Sequence, residues 1–224
     1  AADLQAAYID DNPHPLGERQ VLDRAPDTND GMQGYNHAHG RFHPAMREFW
    51  DAKNLYDIFL FDTAGNLVYS VAKEADFATN FIDGPLTDSG LGEVYIQAME
   101  GTPGEVYFSD FRPYAPSAGE PAAFMATQVH NNSGDLVGVV AFQMPYDALN
   151  AITQFPLSLG ETGQIYVING SGMLLNDSRV EGEFRHGETA PALDYFNLGS
   201  IEDGAHFLNV TGIDGNQVIG FTHQ

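Results

Sequence analysis

Apolar and polar positions along this chain follow a pattern that is written twice. Residues 58–70 read Ile-Phe-Leu-Phe-Asp-Thr-Ala-Gly-Asn-Leu-Val-Tyr-Ser, and residues 165–177 read Ile-Tyr-Val-Ile-Asn-Gly-Ser-Gly-Met-Leu-Leu-Asn-Asp. In each, a short apolar run meets Asp or Asn, a turn containing Gly65 or Gly172 follows, and a second apolar run returns. Gly or Asn supplies the positive φ that two-residue hairpin loops need, so each copy predicts a β-hairpin. Two further hairpins close the halves: Met125–Gln143, turning at Asn132-Ser133-Gly134-Asp135, and Phe207–Thr222, turning at Asp214-Gly215-Asn216. Gly65 and Gly172 lie 107 positions apart (172 minus 65). A repeat of that length is too long for a solenoid and points to two related modules in tandem, a plan more typical of a sensor than of a catalyst.

The remaining elements follow from period and punctuation. Residues 3–22 predict a helix interrupted at Asn12-Pro13, because Pro lacks the donor a helix interior needs. Asp27–Gly34 reads as a polar loop. Residues 43–53 carry apolar side chains at 45, 46, 49 and 50 behind Pro44, which predicts a helix leading into the first strand. From Tyr56 to Met144 the order is strand, hairpin, strand, a loop through Asp76–Asp88 and a helix over 89–99. Strands near 104–110, 121–130 and 136–144 complete the module, giving an α+β plan with helices on one face of a mainly antiparallel sheet. Asp147–Thr153 predicts a connecting helix, and Leu159-Gly160-Glu161-Thr162-Gly163 introduces the second module. That module is shorter, since 81 residues separate Gly134 from Gly215 (215 minus 134). The expected organisation is a helical segment over 1–55, one module over 56–155 and a smaller one over 156–224.

Composition narrows the function. The chain has 224 residues, 43% of them hydrophobic, which is ample for a packed core. Nine Lys and Arg face 31 Asp and Glu, a net charge of −22, so nucleic acid and anionic bilayers are repelled and are not expected partners. The acidity suits solubility in a salty habitat or attraction of a cationic ligand. There are no cysteines, hence no disulfide or thiol chemistry, and no run of 18 apolar residues suggests a membrane span.

Candidate chemistry is sparse. The loop Lys73-Glu74-Ala75-Asp76-Phe77-Ala78-Thr79-Asn80 concentrates charge and hydrogen-bonding groups directly after a strand, as either a binding loop on a rigid sheet or a side-chain-tied turn. Ser109-Asp110-Phe111-Arg112-Pro113-Tyr114-Ala115-Pro116-Ser117 offers an acid, a base and two aromatics beside rigid prolines, as either a pocket rim or a Pro-turn with a surface ion pair. His37, His39 and His43 match no helix-borne zinc spacing and are expected to be structural, with no metal and no cofactor in the chain. Nucleophile-elbow, dinucleotide, phosphate-loop and zinc-protease motifs are all missing, so no catalytic residue is assigned.

Tyr56-Asp57-Ile58-Phe59-Leu60-Phe61-Asp62, Gly65-Asn66-Leu67-Val68-Tyr69 and Lys73-Glu74-x-Asp76-Phe77-x-Thr79-Asn80 together resemble the double Cache, tandem PAS-like sensor domains of bacterial transmembrane receptors. Ser109-Asp110-Phe111-x-Pro113-Tyr114-x-Pro116-Ser117, Pro121-Ala122-x-Phe124 and Gly160-Glu161-Thr162-Gly163 extend the resemblance over roughly residues 5–222. It implies two PAS-like modules along an N-terminal helix, outside the cytoplasmic membrane, in a membrane-anchored and homodimeric receptor. The output would be a chemotaxis region, histidine kinase or cyclase. The Arg followed by Trp-Tyr of the amino-acid-binding members is absent. The expected ligand is a small molecule, leaning to an amine because of the acidic field, held in the distal module. Tyr69, Phe111, Tyr114 and Phe124 are the expected walls, and Lys73, Asp76, Asn80, Asp110, Arg112 and Gln128 the expected polar contacts. Rival readings are an acid-dependent hydrolase, which needs a titratable pair with shifted pKa values in one cleft, and an adhesion module with an exposed apolar patch.

Overall fold

A computed structural model describes residues 1–27, 31–154, 160, 162–179, 184–190, 206–211 and 217–221. The chain divides into two compact units, Ala1–Pro145 and Tyr146–Gln224.

In the first unit, α1 (Ala2–Gln5) runs into a π-helical turn over Ala6–Asp10. The helix stops where Asn12 donates to the Tyr8 carbonyl at 2.9 Å and accepts from the His14 N–H at 3.0 Å. Residues 11–22 therefore leave the helical path, apart from a 3-10 turn at Arg19–Val21. The next helix, α2 (Gln33–Ala52), starts ten residues before the expected position (43 minus 33) and contains Pro44 in its interior. Pro44 cannot donate to the Gly40 carbonyl, so the proline that suggested a helix start instead marks one missing bond inside a longer helix.

The sheet has six strands: β1 (Asp57–Phe61), β2 (Leu67–Ser70), β3 (Tyr107–Phe108), β4 (Arg112–Pro113), β5 (Pro121–His130) and β6 (Leu136–Met144). Its order is β2-β1-β6-β5-β3, with β4 also on β5, and every pairing is antiparallel. Between β2 and β3 lies α3 (Gly90–Glu100), whose N-cap Ser89 accepts from the Gly92 N–H. The strand expected near 104–110 shrinks to two residues.

Alternation on β1 and β6 separates two cores. Phe59, Phe61, Val139 and Ala141 pack with Leu91, Val94, Tyr95 and Ala98 of α3. Ile58, Leu60, Val140 and Phe142 pack with Met46 and Trp50 of α2. Helices thus cover both faces of the sheet, not one face as the sequence suggested, because α2 is long enough to lie across β1. A third core joins Tyr8, Ala25, Met32, Phe77 and Ala78, which docks the N-terminal segment on the loop after β2.

The repeated hairpin signal is one turn made three times. Asp62 Oδ1 accepts from the N–H groups of Ala64 and Asn66, and Gly65 donates to the Asp62 carbonyl. Asn131 does the same with Ser133, Asp135 and Gly134, and Asn169 with Ser171, Met173 and Gly172. The glycines sit at φ of 82, 87 and 88°, so these are three-residue loops closing on a left-handed glycine, not two-residue loops. In the second unit this turn is flanked by bridges Ile168–Leu174 and Met173–Thr189. That unit also holds α4 (Asp147–Thr153) and the antiparallel pair β7 (His206–Thr211) with β8 (Gln217–Phe221). The expected turn at Asp214-Gly215-Asn216 and the start of the second module at Leu159 and Glu161 lie outside the described residues. Among the described residues no helix is long and apolar enough to cross a membrane.

Candidate ligand site

The site begins with an irregularity in β2. Leu60 pairs with Tyr69 but Phe61 pairs with Leu67, so Val68 is an extra residue and the strand bulges there. Strict alternation would put Leu67 and Tyr69 on one face. The bulge leaves Leu67 in the α3 core and turns Tyr69 into the α2 core. The Val68 carbonyl accepts from the Tyr35 hydroxyl of α2 at 2.8 Å.

Asp57, at the start of β1, holds the chain that leaves β2. Its Oδ1 accepts from the N–H groups of Ile58, Val71 and Ala72 at 2.7, 2.8 and 3.0 Å. Lys73 follows with φ of 57° and Ala78 with φ of 60°, left-handed positions that non-glycine residues hold only when neighbours impose them. Arg19 Nη1 donates to the Lys73 carbonyl at 3.0 Å, and Gln5 Nε2 to the Phe77 carbonyl at 2.9 Å. The N-terminal segment thereby grips the loop at two points.

This loop buries Lys73, Glu74 and Asp76 together with Asp57. Glu74 accepts from Tyr56 and Ser117, both at 2.9 Å, and Ser117 accepts from Gln143 at 3.1 Å. Gln143 is the register partner of Asp57 across β1 and β6. Asp76 Oδ2 accepts from the Tyr114 hydroxyl at 2.7 Å. Three side-chain acceptors of this cluster, Asp57 Oδ2, Asp76 Oδ1 and Gln143 Oε1, are buried with no hydrogen-bond partner among the described residues. Buried polar atoms are normally paired, so a site with three spare acceptors fits a group rich in donors.

Burial sets the electrostatics. Loss of water pushes the Asp76 carboxyl up to about 7, against the Tyr114 hydrogen bond, and Glu74 adds to the rise. Asp57 is raised for the same reason and by Asp76, and the Lys73 ammonium is pushed down by burial while both aspartates pull it back. Glu74 is raised by burial as well.

The Lys73 ammonium lies 4.4 Å from the ring centre of Tyr69, 4.9 Å from Phe77 and 5.8 Å from Tyr8. It donates to the Ser70 carbonyl. Behind these rings stand His39 and His43 of α2, stacked at 4.3 Å. His43 Nε2 donates to the Gln20 carbonyl at 2.8 Å while its Nδ1 accepts from the Tyr69 hydroxyl at 2.6 Å. His39 Nδ1 donates to the Asp23 carbonyl at 2.7 Å. Burial and then the Lys73 charge lower His39 to about 3 and His43 to about 4, so both are neutral packing groups. No group of three or more His, Asp or Glu is placed to hold a metal among the described residues.

Of the ten residues expected at the site, Tyr69, Lys73, Asp76 and Tyr114 meet in this cluster, and Phe124 stacks on Tyr114 edge to face at 4.9 Å. The other five lie elsewhere. Asn80 clips its own loop, donating to the Ala64 carbonyl and Asn66 and accepting from Ile82 and Asp83. Asp110 is exposed and accepts from the Phe111 N–H, while Phe111 is half-buried. Arg112 is exposed and paired with Glu93 of α3. Gln128 donates to the Ala98 and Gly101 carbonyls at the end of α3.

Sequence reasoning passed over Asp57, Gln143 and Tyr8 as site residues, while it read the histidines as structural, as His39 and His43 are. An acid opening the apolar run Asp57-Ile-Phe-Leu-Phe was a usable signal. His39 and His43 share a face with Asn36 at helical spacing, a pattern visible only when the helix is started before Pro44.

No protein-family model matches the chain, and no curated protein matches it in sequence. Similar solved structures include an extracellular ligand-binding receptor from Desulfohalobium retbaense, with a TM-score of 0.47, 14% identity, 68% of this chain covered and 25% of that one. The sensor domain of the V. cholerae histidine kinase DctB gives 0.40, 15%, 66% and 49%. The ligand-binding domain of the Campylobacter jejuni chemoreceptor Tlp3 in complex with L-valine gives 0.44, 11%, 78% and 60%. This chain therefore spans less than two thirds of each of those proteins, and no functional detail is carried across at these values. These three are ligand-binding or sensor domains of receptors and a histidine kinase.

Proposed function

We propose that the chain is the extracytoplasmic sensing domain of a membrane-anchored, homodimeric signalling receptor, and that it binds a small amine-bearing molecule at the cluster of Asp57, Asp76 and Gln143. The observation that carries this reading is the surplus of buried acceptors. Among the described residues Asp57 Oδ2, Asp76 Oδ1 and Gln143 Oε1 lack donors, and an ammonium group brings three. Tyr69, Phe77 and Tyr114 supply apolar walls around few polar anchors, the usual make-up of a small-molecule site. The acidic field of a chain with net charge −22 draws cations towards it. Binding shifts a two-state equilibrium only if the ligand prefers one state. Here the preference arises because the same loop carries the acceptors and is held by Arg19 and Gln5 of the N-terminal segment. A metabolite panel of amines, amino acids, carboxylates and sugars, read by thermal shift, tests the reading. A ligand at 100 times its Kd adds about 2.7 kcal/mol to stability, and amines are expected among the hits. A panel in which no compound stabilises the domain contradicts it.

Asp57 and Asp76, two acids with raised pKa values in one cluster, also meet a requirement of the hydrolase reading. Against it, Asp57 Oδ1 is committed to three backbone N–H groups. Turnover of a panel compound that is lost in Asp76→Asn would favour the enzyme.

A further inference from the structure

We propose that Lys73 is a tethered occupant of the cation site: its ammonium rests among Tyr8, Tyr69 and Phe77 beside Asp57 and Asp76, and an organic ammonium ligand enters by displacing it. The inference rests on the reading of this cluster as the ligand site and adds the residue that controls entry.

A buried ammonium needs acceptors for three N–H groups, and the described contacts give Lys73 one, the Ser70 carbonyl. No carboxylate lies within ion-pair range of it among the described residues, yet Asp57 Oδ2 and Asp76 Oδ1 lack donors in the same cluster. The cation and the acceptors coexist without meeting. Geometry explains why. The Lys73 backbone is fixed in a left-handed conformation and its carbonyl is held by Arg19. Its four-carbon stem is thereby directed to the rings, the nearest 4.4 Å away. The rings attract the charge, as aromatic cages attract organic cations generally. An untethered ammonium has no such restriction and can reach the ring faces and the unpaired acceptors together.

Composition supports a specific role. Lys73 and Lys53 are the only two lysines in the chain, and Lys73 is one of its largest fully buried side chains. A resident cation raises the apparent Kd of every ligand by the factor needed to move it. Only ligands that gain contacts with Asp57, Asp76 and Gln143 beyond those of Lys73 bind well, which makes Lys73 a specificity-determining residue. Its departure also disturbs the loop that Arg19 and Gln5 grip, so displacement is felt by the N-terminal segment.

The test uses the whole domain with Lys73→Ala and Lys73→Met. The probe is n-propylammonium chloride, which reproduces the atoms beyond Cβ that Lys73→Ala removes, against sodium chloride at equal ionic strength. Thermal stability of Lys73→Ala is expected to rise saturably with the probe, with an apparent Kd at least about tenfold below that of the wild type. Lys73→Met keeps the cage filled and is expected not to respond. A flat response in Lys73→Ala, or equal responses in all three proteins, overturns the proposal. If Lys73→Ala does not fold, reductive methylation of the wild type decides. Lys53 is expected to react freely, and Lys73 only when trimethylammonium chloride, which keeps one N–H donor and does not consume the reagent, is present at saturation. Reaction of both lysines at one rate without the probe, or protection of Lys73 that persists at saturation, overturns it. An anionic panel hit whose binding needs Lys73 would also sink this inference while leaving a sensing role intact.

Discussion

Tyr114 and Asp76, 38 positions apart, meet in a buried hydrogen bond of 2.7 Å in which the phenol donates to the carboxylate. The bond fastens the loop after β2 to the short 3-10 turn at Ala115–Ser117. It also works against burial, which pushes the Asp76 carboxyl up to about 7. Tyr114→Phe is expected to cost about 1–3 kcal/mol, since a buried acceptor loses its donor. A raised folded pKa contributes stability below the unfolded pKa of about 3.8, and that contribution is lost as pH rises through 7. Removing the bond raises the folded pKa further, so urea unfolding should show a larger loss at pH 8 than at pH 5. Equal losses at both pH values would contradict the assignment of a charged Asp76 to this bond.

The stacked pair His39 and His43 predicts the opposite slope. Both are held neutral, with pKa values lowered to about 3 and about 4. A depressed pKa contributes stability above the unfolded value of about 6.5, and that contribution falls away as pH drops towards 4. The wild type should lose up to about 1.4 kcal/mol per pH unit per histidine across that window, relative to a His39→Gln/His43→Gln double variant. Chemical denaturation at pH 7, 6 and 5 checks the difference, and parallel pH profiles for the two proteins would refute it.

Asp57 separates scaffold from charge. Its Oδ1 serves three backbone N–H groups, a role that the amide oxygen of Asn can fill. Asp57→Ala is expected to cost about 3 kcal/mol or more because three buried donors lose their partner. Asp57→Asn should fold with far smaller loss, and amine binding should weaken. Similar stabilities for the two variants in urea would show that the contacts at Oδ1 matter little.

Gln128 offers a control away from the cluster. It donates to the Ala98 and Gly101 carbonyls, closing the last turn of α3. Gln128→Ala should lower stability by about 1–2 kcal/mol and leave ligand affinity unchanged. A tenfold loss of affinity with the fold intact would return Gln128 to the site.

The legible part of this fold was local. Asp62, Asn131 and Asn169 each stand three residues before a glycine, and the turn they make depends on nothing distant. What the sequence hid was tertiary. Pro44 carries the same residue identity whether it opens a helix or sits inside one, and only the docking of Tyr35, Asn36 and His39 shows that α2 begins earlier. The bulge at Val68 is a one-residue slip in register, and it decides which face receives Tyr69. Lys73 and Asp76 were legible as a polar loop, but their burial was not, because it depends on Tyr8 and Tyr114 arriving from far along the chain. Asp110 and Arg112 looked like a pocket rim for their chemistry, and β4 turns that chemistry outward to Glu93.

The central claim is that the spare acceptors beside Asp76 receive the ligand, and calorimetric titration of the wild type and Asp76→Asn with the strongest amine from the panel tests it most directly. Asp76→Asn keeps an acceptor for Tyr114 and removes the charge. Losing one partner of a buried charge pair costs about 2–5 kcal/mol, so affinity is expected to fall at least about thirtyfold with the fold intact. Unchanged affinity in Asp76→Asn would place the ligand elsewhere and contradict the account.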